Sequence, residues 1–355
     1  MKQILKAAVL VGAVCGLCVQ TPALAAQAKK AETTTAKKSS KSAAKASPKS
    51  ASKAVPGKTA AGKTSKVAVH NAANAPVKKV AATAKPASKP VRAALDMDGD
   101  PRRLALYSAS ALVVDQSTGQ PLVEKQPDAV VPIASISKLM TAMVVLDAKL
   151  DMQEVIAVGD EDVDTLKGSR SRLPVGTTMT RETAMLLALM SSENRAAHAM
   201  GRHYPGGMPA FVQAMNKKAH ALGMYNSRFE EPTGLSSNNV STAHDLARMV
   251  AAAARYPEIR QASTTAEAKV ELNGRIRDFH NTNALVRSGN WEIGVSKTGY
   301  ISEAGRCLVM QARVADKPVV IVLLDSVGKM TRVGDAQRIK RWMESASLAS
   351  DRRKT

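Results

Sequence analysis

Apolar and small polar residues alternate along Leu106–Asp115 (LYSASALVVD), and PLVEKQ follows after the turn QSTGQ, a pattern that predicts a β-hairpin. The run PIASISKLMTAMVVLDA, Pro132 to Ala148, is apolar almost throughout and predicts a buried helix over roughly Ser135–Asp147. Helical periodicity then dominates. RETAMLLALM (Arg181–Met190) has Thr180 as an N-cap, MPAFVQAMNKKAHALGM ends at the C-cap candidate Gly223, and STAHDLARMVAAAARY starts at Ser241 or Thr242. Strand patterns return in WEIGVSKTGY, GRCLVMQARV and KPVVIVLLDS, the last after a turn at Ala315-Asp316. A closing amphipathic helix covers about Gly334–Ser345. Strands at both ends with helices between them predict one α+β domain, in which an antiparallel sheet joins the two ends of the chain and is flanked by a helical cluster.

Composition changes the picture at the N-terminus. The 355-residue chain has a formal net charge of +21, and sixteen Lys/Arg against one acid, Glu32, fall between Gln27 and Leu95. That segment has too few bulky apolar residues to offset its conformational entropy, so residues 26–98 read as a disordered Lys/Ala/Pro-rich basic linker. The high pI therefore belongs to a tail, and the remainder is only mildly basic. Residues 1–25 read as a signal peptide. Lys2 and Lys6 precede the apolar run Ala7–Val19, and Ala23-Leu24-Ala25 marks a cut near Ala26. That run is short for a membrane span. Neither Cys15 nor Cys18 follows the small residue that lipidation requires. The expected organisation is leader 1–25, linker 26–98, domain 99–347 and a short flexible tail, 348–355.

Two features are set aside. GKTAAGKT (Gly57–Thr64) matches the phosphate-loop pattern, but its flanks supply neither the buried strand nor the helix that such a loop needs. Of three cysteines two lie in the leader, and Cys307 sits in an alternating apolar run, where a buried inert thiol is expected. No cofactor and no metal site is expected.

The candidate chemistry lies in the greasy helix. Ser135 and Lys138 are one turn apart on one face, so an amine there can reach a hydroxyl, and burial would lower its pKa toward that of a base. Ser-x-x-Lys also occurs at Ser42/Lys45, Ser50/Lys53 and Ser326/Lys329, so the motif alone fits either a helix start with a stray lysine or a nucleophile with its base. Ser192 and Asn194 sit on a turn that interrupts the helical middle. Lys297-Thr298-Gly299 lies on a late strand, where the glycine allows close backbone approach to a ligand. Ser137 and Thr141 read as ordinary helix hydroxyls.

These three motifs, in this order, are the S-x-x-K, S-x-N and K-T-G set, and the chain from Tyr107 to Trp342 resembles the low-molecular-mass penicillin-binding proteins of the D,D-peptidase kind, most of all their D-alanyl-D-alanine endopeptidases. The resemblance carries the penicillin-binding-protein/β-lactamase-like fold and implies the following roles. Ser135 would attack the D-alanyl carbonyl and Lys138 would take its proton. Ser192 would relay a proton to the leaving amine, and Asn194 would hold the substrate's backbone amide. Lys297 would supply positive potential, and Thr298 would bind the carboxylate of the leaving residue. The N–H groups of Ser135 and of Tyr300, next to Gly299, would form the oxyanion hole. It also implies peptidoglycan as substrate, β-lactams as covalent inhibitors and a periplasmic location.

The alternatives are weaker. No histidine accompanies a nucleophile elbow, and His198 and His203 lack the spacing of a zinc peptidase. A β-lactamase would need a second base for deacylation, and none is assignable. A D,D-carboxypeptidase is nearer, though many carry a further C-terminal domain and anchor, whereas this chain stops soon after its last helix. A non-catalytic polycation contacting anionic envelope polymers is the rival of another class; the leader argues against nucleic acid.

Overall fold

The computed structural model describes residues 104–351. The expected leader with Cys15 and Cys18, the basic segment with its phosphate-loop look-alike, and the last four residues lie outside the described residues.

In chain order the strands are β1 (Ser108–Asp115), β2 (Pro121–Lys125), β3 (Val131–Pro132), β4 (Val155–Ala157), β5 (Thr178–Thr180), β6 (Val240–Ser241), β7 (Glu267–Leu272), β8 (Arg275–His280), β9 (Glu292–Ile301), β10 (Gly305–Val314) and β11 (Lys317–Ser326). The helices are α1 (Ser137–Asp147), α2 (Arg181–Met190), α3 (Asn194–Arg202), α4 (Gly207–Ala221), α5 (Ala243–Ala253), α6 (Pro257–Thr264), α7 (Ala284–Arg287) and α8 (Thr331–Asp351). Five strands form an antiparallel sheet in the order β2-β1-β11-β10-β9. β1 pairs with β11 from Ser108↔Ser326 to Asp115↔Val319, so the strands from the two ends of the domain lie side by side, as the sequence pattern predicts.

Both faces of this sheet are covered, which is why its central strands are nearly continuously apolar. One face packs Ala111, Val113, Leu308, Met310 and Ile321 against Val333, Ala336, Ile339 and Met343 of α8. The other faces the larger helical core around α1. Every α1 residue from Ser137 to Val145 is buried, so this helix has no polar face to display. Its hydroxyls are satisfied inside: Ser137 donates to Ala134 O (2.9 Å) and accepts from Asn239 Nδ2 (3.0 Å), and Thr141 donates to Pro232 O (2.7 Å). The two residues read as ordinary hydroxyls therefore pin the helix to the 230–239 loop.

Local signals place most boundaries. Thr180 Oγ1 accepts from Thr183 N and Thr242 Oγ1 from Asp245 N, so Thr242, and not Ser241, caps α5. Gly223 follows α4 with φ +73. The closing helix starts three residues earlier and ends six later than its pattern suggests, so residues 348–351 of the expected tail are helical. Its Asp335 accepts from Tyr107 N and Ser108 N and so anchors α8 to the start of β1. The β7–β8 hairpin escaped the sequence reading, although Asn273-Gly274, both at positive φ, is the turn chemistry that announces one.

Candidate active site

Three segments far apart in sequence meet at one cleft of about 260 Å³, lined by Ser135, Ser192, Asn194, Thr298, Gly299 and Tyr300, with Thr282 and Arg332 completing the wall. Lys138 and Lys297 lie beneath it, both buried. All eight candidate residues from the sequence are therefore in or directly under a single cleft.

Ser135 does not sit on the α-helix proper. It occupies a 3₁₀ turn, Ala134–Ile136, that leads into α1, and Ala134 holds φ +50. A left-handed alanine is uncommon and persists only where surrounding packing determines it. Two glycines supply that packing. A Cβ on Gly234 (φ +82) would lie 1.9 Å from Ala134 O and 2.7 Å from Ser135 N, and one on Gly299 would lie 2.9 Å from Ile133 O and 3.1 Å from Ser135 N. Gly299 is thus needed for the Ser135 turn to approach β9, whereas the sequence pattern suggested room for a ligand. We expect Gly234→Ala to displace that turn and lower acylation at Ser135 about a hundredfold or more, measured as the rate of labelling by an active-site acylating probe. Wild-type labelling by this variant would show that the backbone packing does not position Ser135.

Ser192 is placed by the end of α2. Ser191 caps that helix through its Oγ–H to Leu187 O (2.9 Å), Glu193 N donates to the same carbonyl (3.1 Å), and Ser192 turns through φ +61 before α3 begins at Asn194. The two chemistry-bearing side chains therefore occupy a tight helix–helix corner facing Ser135. Lys297, on edge strand β9, donates to Ser192 Oγ and to Thr298 O, both at 2.9 Å.

Lys138 Nζ has three oxygen partners: Ser135 Oγ (2.7 Å), Asn194 Oδ1 (2.7 Å) and Thr233 O (2.6 Å). Two of these only accept. Asn194 is oriented this way round because its Nδ2 donates to Ser169 Oγ (2.9 Å). A neutral amine has two N–H groups and one lone pair, so donating to the two carbonyl oxygens aims the lone pair at Ser135 Oγ–H. Burial pushes the Lys138 ammonium down to about 7, with the Glu231 and Glu193 carboxylates opposing it. Burial also holds Lys297 well below the usual lysine range, and the cations of Lys138 and Arg332 push it the same way. The lining residues include no carboxylate and one cation, Arg332, so the cleft presents a guanidinium and several hydroxyls.

Several participants carry no sequence signal of their own. Arg332 donates from Nη1 to Gly299 O (2.9 Å) and Cys307 O (3.1 Å), which holds a guanidinium at the end of the cleft. Thr282 joins Thr298 by an Oγ1–Oγ1 bond of 2.7 Å. Glu231 accepts from the N–H groups of Thr233 and Gly234, both at 2.6 Å, and so shapes the loop that supplies Thr233 O and Gly234. Glu193 is held by Ser171 Oγ (2.6 Å) and Arg172 Nε (2.8 Å). Cys307 is buried and its thiol is pushed up to about 11 by that burial, in keeping with an inert role.

Comparison with known proteins gives a consistent result. Residues 98–328 match the peptidase S11 family model, described as D-alanyl-D-alanine carboxypeptidase. The chain is 49% identical over 271 residues to a D-alanyl-D-alanine endopeptidase of Pseudomonas aeruginosa, an alignment covering 76% of this chain and 86% of the relative. Among solved structures it is similar to the Streptomyces K15 DD-transpeptidase, with TM-score 0.63 and 26% identity over 68% of this chain and 98% of the other. It is also similar to penicillin-binding protein D2 of Listeria monocytogenes in a cefotaxime-bound form, with TM-score 0.59 and 27% identity over 67% and 97%.

Proposed function

The chain belongs to the S11 family of serine peptidases, described as D-alanyl-D-alanine carboxypeptidases, and on that footing we propose that it is an endopeptidase cleaving D-alanyl cross-links of peptidoglycan through an acyl-enzyme at Ser135. One observation carries the mechanism: a buried amine with pKa about 7 has its two donor directions occupied by carbonyl oxygens and its third oxygen contact is Ser135 Oγ, 2.7 Å away. Lys138 takes the Ser135 proton as Oγ adds to the D-alanyl carbonyl carbon. The oxyanion faces the N–H groups of Ser135 and Tyr300, which β9 and the 3₁₀ turn bring together across Gly299. Ser192, which accepts from Lys297, passes its own proton to the departing amine and is reprotonated by the proton that Lys138 took from Ser135. Asn194 keeps one Nδ2–H for a substrate carbonyl, and the Arg332 guanidinium with the Thr282–Thr298 hydroxyl pair meets the leaving residue's carboxylate, while Lys297 is committed to Ser192. Water then hydrolyses the ester.

The two carboxylates nearest Lys138 are engaged by other groups, Glu193 by Arg172 and Glu231 by backbone N–H groups, so neither is presented as a deacylation base. The site thus lacks the second carboxylate base of a β-lactamase, and β-lactams acylate Ser135 as covalent inhibitors. Among the described residues no helix is long and apolar enough to cross a membrane. The leader expected from the sequence supports a periplasmic location, in which the basic segment would meet anionic envelope polymers.

The test uses the full chain on cross-linked muropeptide dimers and on pentapeptide monomers, with chromatography of the products. Conversion of dimers to monomers at a rate exceeding removal of the terminal D-alanine supports the endopeptidase. Trimming of pentapeptides with dimers left intact would replace it by a carboxypeptidase.

A further inference from the structure

Away from the catalytic cleft, the β7–β8 hairpin carries charge that the described residues leave unmatched. Its register pairs Leu272↔Arg275, Val270↔Arg277 and Ala268↔Phe279, and these six side chains share one face. That face looks into the molecule, since Leu272 and Phe279 are buried and Ala268 and Val270 pack on the helical core. Arg275, exposed near the tip, and Arg277, half-buried, stand on it with Pro174, Thr177, Leu272 and Asn273 around a recess of about 270 Å³. Asn273 ties the hairpin tip to the opposite rim, accepting from Thr178 N and donating to Gly176 O, both at 3.3 Å. Among the described residues, neither the Arg275 nor the Arg277 guanidinium has a hydrogen bond or ion pair. Two such forks in one recess fit carboxylates, which guanidinium groups bind bidentately.

The row continues toward the nucleophile. The Arg172 guanidinium lies 4.4 Å from the ring centre of Phe279, the inner-face position next to Arg277. Arg172 in turn holds Glu193, beside Ser192. Beyond the end of β8, Thr282 bonds to Thr298 in the catalytic cleft. β8 ends at His280, so Arg277 lies about 10 Å and Arg275 about 16 Å along the strand from its cleft-side end. A single departing amino acid does not span that distance, whereas a peptide arm of about five residues does.

We propose that Arg277 and Arg275, approached past Arg172, form a subsite for the carboxylate-bearing peptide arm on the leaving-group side of the scissile bond. The proposal rests on the endopeptidase reading, because only a cross-linked substrate has such an arm. The leaving-group side is assigned because the row enters the cleft at Thr282, against the Thr298 hydroxyl that holds the leaving residue. Arg172 is already paired with Glu193, so the charge available to the arm resides at positions 277 and 275.

The test compares wild type with the double variant Arg275→Gln/Arg277→Gln by fluorescent-penicillin labelling, pentapeptide trimming and cleavage of cross-linked muropeptide dimers. The expected result is unchanged labelling and trimming, with kcat/KM for dimers reduced about tenfold, mainly through KM. The Arg275→Lys/Arg277→Lys variant should recover part of the loss. For wild type, raising salt from about 0.05 to 0.5 M should weaken dimer cleavage and leave labelling unchanged. Equal effects on dimers and pentapeptides, or none on either, would overturn the subsite. If the glutamine variant labels poorly, the wild-type salt series decides, and salt-independent dimer cleavage overturns the proposal. A wild-type chain that takes no label sinks the peptidase reading itself, and the subsite with it.

Discussion

Ser135→Ala is expected to abolish covalent labelling by fluorescent penicillin and to reduce muropeptide cleavage by about 10⁴-fold or more, leaving only what binding and the oxyanion hole supply. The reason is chemical: alanine has no atom at the position 2.7 Å from Lys138 Nζ where the acyl bond forms. The fold should survive, because Ser135 is partly exposed at the cleft and the 3₁₀ turn is held by backbone contacts with Gly234 and Gly299. A thermal midpoint close to that of wild type, together with complete loss of label, is the expected pair of results. Equal labelling of the variant would remove Ser135 as the nucleophile.

Lys138→Met should be nearly as severe, lowering acylation by about 10²–10⁴-fold, the usual contribution of a positioned general base. The pH dependence identifies the role more sharply than the loss does. Only neutral Lys138 can accept a proton, so wild-type acylation should rise with pH, reach half its plateau near pH 7 and fall away as acidification restores the ammonium. An ordinary lysine would be neutral in about three molecules in ten thousand at pH 7, against about half for this one. Burial therefore raises the population of neutral amine about a thousandfold. Lys138→Arg, permanently charged, should behave like the methionine variant. An acylation rate that is flat from about pH 5 to 9 in wild type would show that Lys138 is not the titrating base.

Much of this was open to inspection along the chain. The hairpin, the central helix, three late strands and two helix caps follow from alternation, 3.6-residue periodicity and capping hydroxyls, all properties of neighbours in sequence. The seven residues of the three motifs stand out only in combination, and Tyr300 enters through the family resemblance alone, since each motif by itself also fits an ordinary helix start, cap or strand. The misses have a common cause. The β7–β8 hairpin offered an Asn-Gly turn, but its inner face mixes Leu272 and Phe279 with arginines, which blurs the alternation. Arg332 and Thr282 belong to no motif and reach the cleft only because the start of α8 and the end of β8 happen to border it.

By itself, then, the sequence determined which segments become strands and helices, that the ends of the domain share a sheet, and which hydroxyls, amines and amide were available for chemistry. Tertiary structure alone decided what those groups can do. It buried Lys138 and so brought its pKa to about 7, filled its two donor directions with Asn194 and Thr233, and pressed Gly234 and Gly299 against a left-handed Ala134. The division is physical. Backbone propensity and periodicity act over a few residues, whereas desolvation, close approach and electrostatic coupling depend on atoms that arrive from segments about a hundred positions away.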